Sequence, residues 1–282
     1  SFSYEELAEI RHYIHQHPEL SGQEYQTTAF LRERLEELGI RILESGLKTG
    51  LIAEIGSGQP VVALRADIDA LPILEQTNLP YQSQHPGVMH ACGHDFHQTS
   101  LLGAAALLKE KEDQLEGTIR LIFQPAEEIS EGASDVLATG LLEDVQGIIG
   151  FHNMPQLKAG QLALNAGAMM AGVEKFKVTV TGVSSHAARP DLGVDTVTAV
   201  TTMVQNVQLL ISRTISPFET AVLSITHLDV GSTWNVLPKS GYFEGTIRSF
   251  NPSVQRELKE HFISIIRHIA ESLEVDVAFE WG

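Results

Sequence analysis

The chain has 282 residues, 43% of them hydrophobic, with a formal net charge of −17 at pH 7 and a pI near 5.0. That length suggests about two domains with ample cores, and the acidic balance excludes nucleic acid as a natural partner. A single cysteine rules out an internal disulfide framework and fits a cytosolic setting. No apolar run approaches the roughly 20 residues of a membrane span, and the start, Ser1 to Glu6, has neither a basic nor an apolar signal region. The expectation is a soluble, cytoplasmic protein.

Residues 4–16 place Leu7, Ile10, Tyr13 and Ile14 at helical spacing until His17-Pro18 stops the run, and 24–38 form a second helix closed by Gly39. His12, His15 and His17 fall on different faces, as ordinary helix histidines do. Residues 51–55 and 61–66 are buried strands parted by Gly56-Ser57-Gly58, and the second runs into Arg65-Ala66-Asp67-Ile68-Asp69-Ala70-Leu71-Pro72. Acidic residues just past a strand's carboxyl end sit where open α/β sheets build their sites, although turn aspartates are common there too.

The stretch Met89-His90-Ala91-Cys92-Gly93-His94-Asp95-Phe96-His97 concentrates the chemistry. It holds the only cysteine, with three histidines and an aspartate around it. A thiolate and an imidazole two residues apart on an irregular turn can face one point, as a metal ion requires. The plain alternative is an inert buried cysteine beside surface histidines. Residues 98–108 then form a helix and 118–123 a strand that ends in Gln124-Pro125-Ala126-Glu127-Glu128. Adjacent carboxylates point apart, so one can ligate a metal while the other handles a proton. A helix over 133–142 and a strand over 147–151 follow, and that strand delivers His152-Asn153. Three apolar strands thus end in Asp67/Asp69, Glu127/Glu128 and His152. This pattern describes a doubly wound α/β sheet with a metal site along one strand-end edge.

Near Ala171 the pattern changes. Strands over 175–180, 221–228, 242–249 and 275–281 combine with helices over 194–211 and 254–273, the latter capped by Asn251 or Ser253. The order β-α-β-β-α-β is the split plait of a small separate domain. The expected division is 1–170 for the metal-binding domain and 171–282 for the plait.

The segments RADIDALP (65–72), HACGHD (90–95), FQPAEE (123–128), GFHNMP (150–155), SSHAARP (184–190) and NVLP (235–238) resemble one family. It is the amidohydrolase branch of the aminoacylase/carboxypeptidase metallohydrolases, with hippurate hydrolase, auxin–amino acid conjugate hydrolases and N-acetyl-diaminopimelate deacetylase. The resemblance implies a two-metal hydrolase of N-acyl amino acids, acetyl or aromatic acyl for example. It also implies a βαββαβ lid, inserted into the catalytic domain, that often serves for dimerisation.

Matched position by position, the resemblance makes Cys92, His94, Glu128 and His152 metal ligands, Cys92 able to bridge, and Glu127 the general base. Asp69 would orient a ligand imidazole, while Asp67 stands where related branches carry a ligand histidine. From the lid, His186 would stabilise the oxyanion, commonly from the neighbouring subunit, and Asn235 and Arg248 would bind the amino-acid carboxylate. Zinc, manganese, cobalt or nickel suit such ligands. Met169-Met170 and Phe151 are candidates for an acyl pocket, or plain core.

In the family the chain returns from the lid to the catalytic domain with a last ligand histidine. Here Trp281-Gly282 lies on the lid's last strand, so the resemblance implies a catalytic domain incomplete at the C-terminus, for which His261 and His268 are no substitutes. The expected partners are a small N-acyl amino acid and a second copy of the chain, with no nucleic acid and no membrane. A non-catalytic binding or dimerisation homologue, or an inactive truncated fragment, is the alternative. Retention of Cys92, His94, Glu127, Glu128 and His152 together favours the enzyme.

Overall fold

In the computed structural model, which describes residues 1–282, helix α1 (Tyr4–Gln16) opens under a reciprocal cap. The Glu6 N–H donates to Ser3 Oγ at 3.1 Å and the Ser3 N–H to Glu6 Oε2 at 2.6 Å. Helix α2 (Tyr25–Glu37) follows, then strands β1 (Arg41–Ile42), β2 (Leu51–Ser57) and β3 (Val61–Asp67), helix α3 (His94–Glu110), strand β4 (Gly117–Gln124), helix α4 (Gly132–Ala138) and strand β5 (Val145–Gly150). The five strands form one sheet in the order β1-β2-β4-β3-β5.

Alternation along the strands feeds two cores. Leu51, Ala53, Leu121 and Phe123 face Ile10 and Ile14 of α1, Leu31 and Leu35 of α2, and Leu101, Leu102 and Ala105 of α3. Their neighbours Ile52 and Ile122 point the other way, with Ala63, onto Val136 of α4. Helices on both faces make the sheet doubly wound. It is also mixed, because β2 runs antiparallel to β4 while β3 is parallel to both β4 and β5. The carboxyl ends of β3, β4 and β5 therefore share one edge, and that edge positions the site.

The chain separates into two compact units, Ser1–Ala159 and Gly160–Gly282. The second contains strands β6 (Gly172–Thr181) and β7 (Ser185–His186), helix α5 (Thr196–Asn206), strands β8 (Ala221–Val230), β9 (Val236–Leu237) and β10 (Ser240–Ser249), helix α6 (Pro252–Ser272) and strand β11 (Asp276–Trp281). Its main sheet is antiparallel in the order β11-β6-β10-β8, and β7 pairs separately with β9. Phe176, Val178, Phe243 and Ile247 of the sheet meet Ala199, Val200 and Met203 of α5 and Leu258, Phe262 and Ile266 of α6. With β7 and β9 set aside, this is the β-α-β-β-α-β plait.

Helix α5 ends at Asn206 rather than near residue 211, and a wider turn over Leu210–Thr214 follows. Val207 and Leu210 both stay fully buried across the break. No helix is long and apolar enough to cross a membrane.

The Phe262 ring lies 4.5 Å from that of Phe176 and 5.7 Å from that of Trp281, at the centre of the second core. Phe262→Ala is expected to destabilise the second unit by about 3–5 kcal/mol, read as a lower urea midpoint at unchanged m. A loss below about 1 kcal/mol would mean that the core collapses around the gap.

Candidate metal centre

Gly93 sets the direction of the central ligands. It caps α3 at φ +89°, and a Cβ there would stand 2.1 Å from Asn153 Oδ1, so both the conformation and the space demand glycine. The helix begins at His94 rather than at residue 98, as the hydrophobic pattern suggested. His94, Asp95 and His97 are polar yet buried: the two histidines face the site, and Asp95 faces His15 and Arg11 of α1.

His94 Nδ1 donates to Asp69 Oδ1 at 3.1 Å. The other Asp69 oxygen accepts the Ser21 hydroxyl at 2.6 Å and the Glu128 N–H at 2.9 Å. With Nδ1 committed, Nε2 faces Asp67 Oδ2 at 3.5 Å, Glu128 Oε1 at 3.5 Å and Glu127 Oε2 at 3.7 Å. Neither His94 Nε2 nor Glu128 Oε1 has a hydrogen-bond partner, although both are buried. Burial works against a charge on His94, but the Asp69 hydrogen bond and the Asp67, Asp69 and Glu128 carboxylates raise it, so the cluster calls for a positive charge at this point, a proton or a cation.

A sulfur joins them from the side. Cys92 Sγ lies 3.4 Å from His152 Nε2, and His152 Nδ1 is turned to the Asn153 carbonyl at 2.9 Å, which leaves Nε2 free to ligate. Ligand atoms of Cys92, His94 and His152 all fall within 4.8 Å of one another. The same holds for Asp67, His94 and His97, and for Asp69, His94 and Glu127. A sulfur, nitrogen and carboxylate set of this kind fits borderline divalent ions.

The electrostatics agree. Burial first, then the Glu128, Glu127 and Asp67 carboxylates, pushes the Cys92 thiol up to about 12. Burial, with Glu128 and Asp67 beside it, also raises the Glu127 carboxyl. Burial alone would raise Asp67, but the His97 hydrogen bond and the nearby His94 and Arg65 hold it at about 2. The centre is short of positive charge, and a bound divalent cation would reverse both upward shifts.

Cys92, His94, Glu127, Glu128, His152, Asp67 and Asp69 therefore come together in the first unit. His186, Asn235 and Arg248 lie in the second. There His186 pairs with Val236, and the Asn235 carbonyl accepts the Ala187 N–H at 3.0 Å, so these two are neighbours. Arg248 is exposed near the far end of β10, paired with Val173 and Val222. Eight residues of strand separate it from Ser240, the end nearest Asn235, which amounts to about 27 Å at 3.4 Å per residue. Met169 and Met170 are exposed in the second unit, and the Phe151 ring lies 5.3 Å from that of His97 in the first.

Two groups escaped the sequence reading. His97 Nδ1 donates to Asp67 Oδ1 at 2.7 Å while its Nε2 accepts the Asn153 N–H at 2.9 Å. Its position three residues after His94, on one helix face, was the available signal. His15, which looked like an ordinary helix histidine, bridges Asp95 Oδ2 at 2.8 Å and Glu75 Oε1 at 3.0 Å. Arg11 Nε reaches the same Asp95 oxygen at 2.9 Å, tying α1 to the first turn of α3.

Compared with known proteins, residues 63–279 match the family model described as peptidase family M20/M25/M40. The N-acetyl-L-cysteine deacetylase of Bacillus subtilis (strain 168) is 45% identical over 278 residues, covering 98% of this chain and 67% of the relative. The N-acyl-L-amino acid amidohydrolase of Geobacillus stearothermophilus is 37% identical over 277 residues, covering 96% of this chain and 75% of the relative. A crystal structure from Bacillus subtilis, described as a dinuclear metal binding peptidase from the M20 family, superposes with a TM-score of 0.83 at 42% identity. That superposition covers 98% of this chain and 72% of the other.

The raised Cys92 thiol gives a direct test of the cation hole. In the metal-free protein its alkylation rate is expected to keep climbing beyond about pH 10, where an ordinary thiol of pKa near 8.5 has levelled off. Added zinc or manganese should suppress labelling. A plateau below about pH 10 would show a thiolate stable without a cation.

Proposed function

The chain belongs to peptidase family M20/M25/M40, and from that premise we propose that it acts as a metal-dependent amidohydrolase on N-acyl amino acids. The observation that carries this reading is the unpartnered His94 Nε2 facing the carboxylates of Asp67, Glu127 and Glu128. The named activities of the 45% and 37% identical relatives point to acetyl and other acyl amino acids as the substrate class.

In this reading Cys92, His94, Glu128 and His152 would hold two divalent ions of the zinc, manganese, cobalt or nickel kind, which would supply Lewis acidity to the scissile carbonyl and to a water molecule. Asp69 keeps His94 in the tautomer whose Nε2 is free to ligate. Glu127 is the base: its carboxylate lies 3.7 Å from His94 Nε2 at the edge of the ligand cluster, where it can first take a proton and later return it. It accepts a proton from the attacking water as the C–O bond forms, then delivers it to the leaving nitrogen as the C–N bond breaks. The products are a carboxylate and a free amino acid.

The second unit, on this reading, is the lid. His186 donates to the developing oxyanion, Asn235 approaches the substrate beside it, and Arg248 grips the amino-acid carboxylate through its fork. The reading takes His186 from the neighbouring chain of a homodimer.

On the full-length protein, Glu127→Gln is expected to keep its metal and lose about 10²–10⁴ in kcat, while Glu128→Gln loses metal. Near-parental turnover of metal-loaded Glu127→Gln on an N-acetyl amino acid would refute the base assignment. The two-chain arrangement has its own measurement. Mixing His186→Ala with Glu127→Gln subunits should restore up to about a quarter of parental activity after random exchange. No recovery after verified exchange would put His186 in its own chain's site.

A further inference from the structure

The loop joining α1 to α2, residues 19–24, takes no part in the chemistry proposed above, yet it reaches the scaffold of the site at three points. The Glu19 carbonyl accepts the Ala70 N–H at 2.8 Å, and the Ser21 hydroxyl donates to Asp69 Oδ2 at 2.6 Å. The third contact is the deepest. Glu24 is fully buried, and its Oε1 accepts the Ala126 N–H at 2.8 Å together with the Gly22 N–H at 2.9 Å. Its Oε2 accepts the Thr49 hydroxyl at 2.7 Å.

Ala126 is a consequential residue to hold. It lies at φ +48°, in the left-handed region, which an L-residue with a side chain keeps only when its surroundings enforce it. It also immediately precedes Glu127 and Glu128, so its backbone sets the direction in which both carboxylates leave β4. Its carbonyl is engaged as well, accepting the Glu131 and Gly132 N–H groups at 3.3 and 3.1 Å. Both polar groups of this one peptide residue are pinned, and Glu24 supplies the only side chain among the partners.

We infer that Glu24 is a positioning residue for the reaction: by holding the Ala126 N–H it fixes the turn that aims Glu127 and Glu128. The inference rests on the roles proposed for those two carboxylates. Glu24 touches neither substrate nor ion and acts only through the geometry of the turn. A buried carboxylate bonded to two main-chain N–H groups and a hydroxyl is well suited to this, since rotating away would strand all three donors.

The test uses the full-length, metal-loaded protein, with kcat and KM measured on an N-acetyl amino acid and normalised to bound metal. Glu24→Ala is expected to lower kcat by about 10²-fold, with KM changed by less than about threefold. Glu24→Gln should recover kcat to within about tenfold of the parent, because its amide oxygen still accepts the Ala126 N–H. A purely structural Glu24 would lower the melting temperature and leave kcat per metal-loaded chain unchanged, and that result overturns the inference. Should Glu24→Ala not fold, Thr49→Val removes only the hydroxyl on Oε2. It is expected to cost about three- to tenfold in kcat at constant KM, and an unchanged kcat again overturns the inference. Glu127→Gln measured alongside separates the two levels. If it retains turnover, the base assignment has failed. If it is inactive while both Glu24 variants match the parent, only the positioning role has.

Discussion

An imidazole lone pair aimed at carboxylate lone pairs is the constraint around which the first unit is built. At 3.5 Å such acceptors repel one another unless a cation or a proton sits between them. The His94 ring and the Asp67 and Asp69 carboxylates cannot relieve the repulsion by turning away, because each is tied down. Asp69 fixes the His94 ring, and Ser21 and the Glu128 N–H fix Asp69. Asp67 is held by His97 and by Arg65 Nη1 at 3.1 Å. The helices behind the site contribute the compensating stability through apolar burial, with Leu31, Leu35 and Leu102 fully enclosed. The fold thus keeps a locally unfavourable geometry by surrounding it with favourable packing.

What could be read from the sequence follows from where each signal resides. Apolar periodicity is local, and it gave the three site-bearing strands, both units' helices and the order of the plait. The strand-end rule then points to Asp67, Asp69, Glu127, Glu128 and His152, because residues at the carboxyl ends of parallel strands must share an edge. The start of α3 was illegible for the complementary reason. His94, Asp95 and His97 are polar residues buried inward, so a pattern that equates polar with exposed reads them as loop. The end of α5 at Asn206 has no comparable local mark, since Val207 and Leu210 continue the apolar face across it. Glu24, Ser21 and His15 were illegible because their meaning lies in hydrogen bonds to residues 102, 48 and 80 positions away. No periodicity or spacing encodes such a partner.

The acidic ring around Cys92 also bears on chemical durability. The thiolate is the form that attacks peroxides and disulfides, and a thiol pushed up to about 12 is almost wholly protonated at neutral pH. The first step toward a sulfenic acid or a mixed disulfide is therefore suppressed at the only sulfhydryl in the chain. The carboxylates that make the centre attractive to cations thus guard its sulfur whenever no cation is bound.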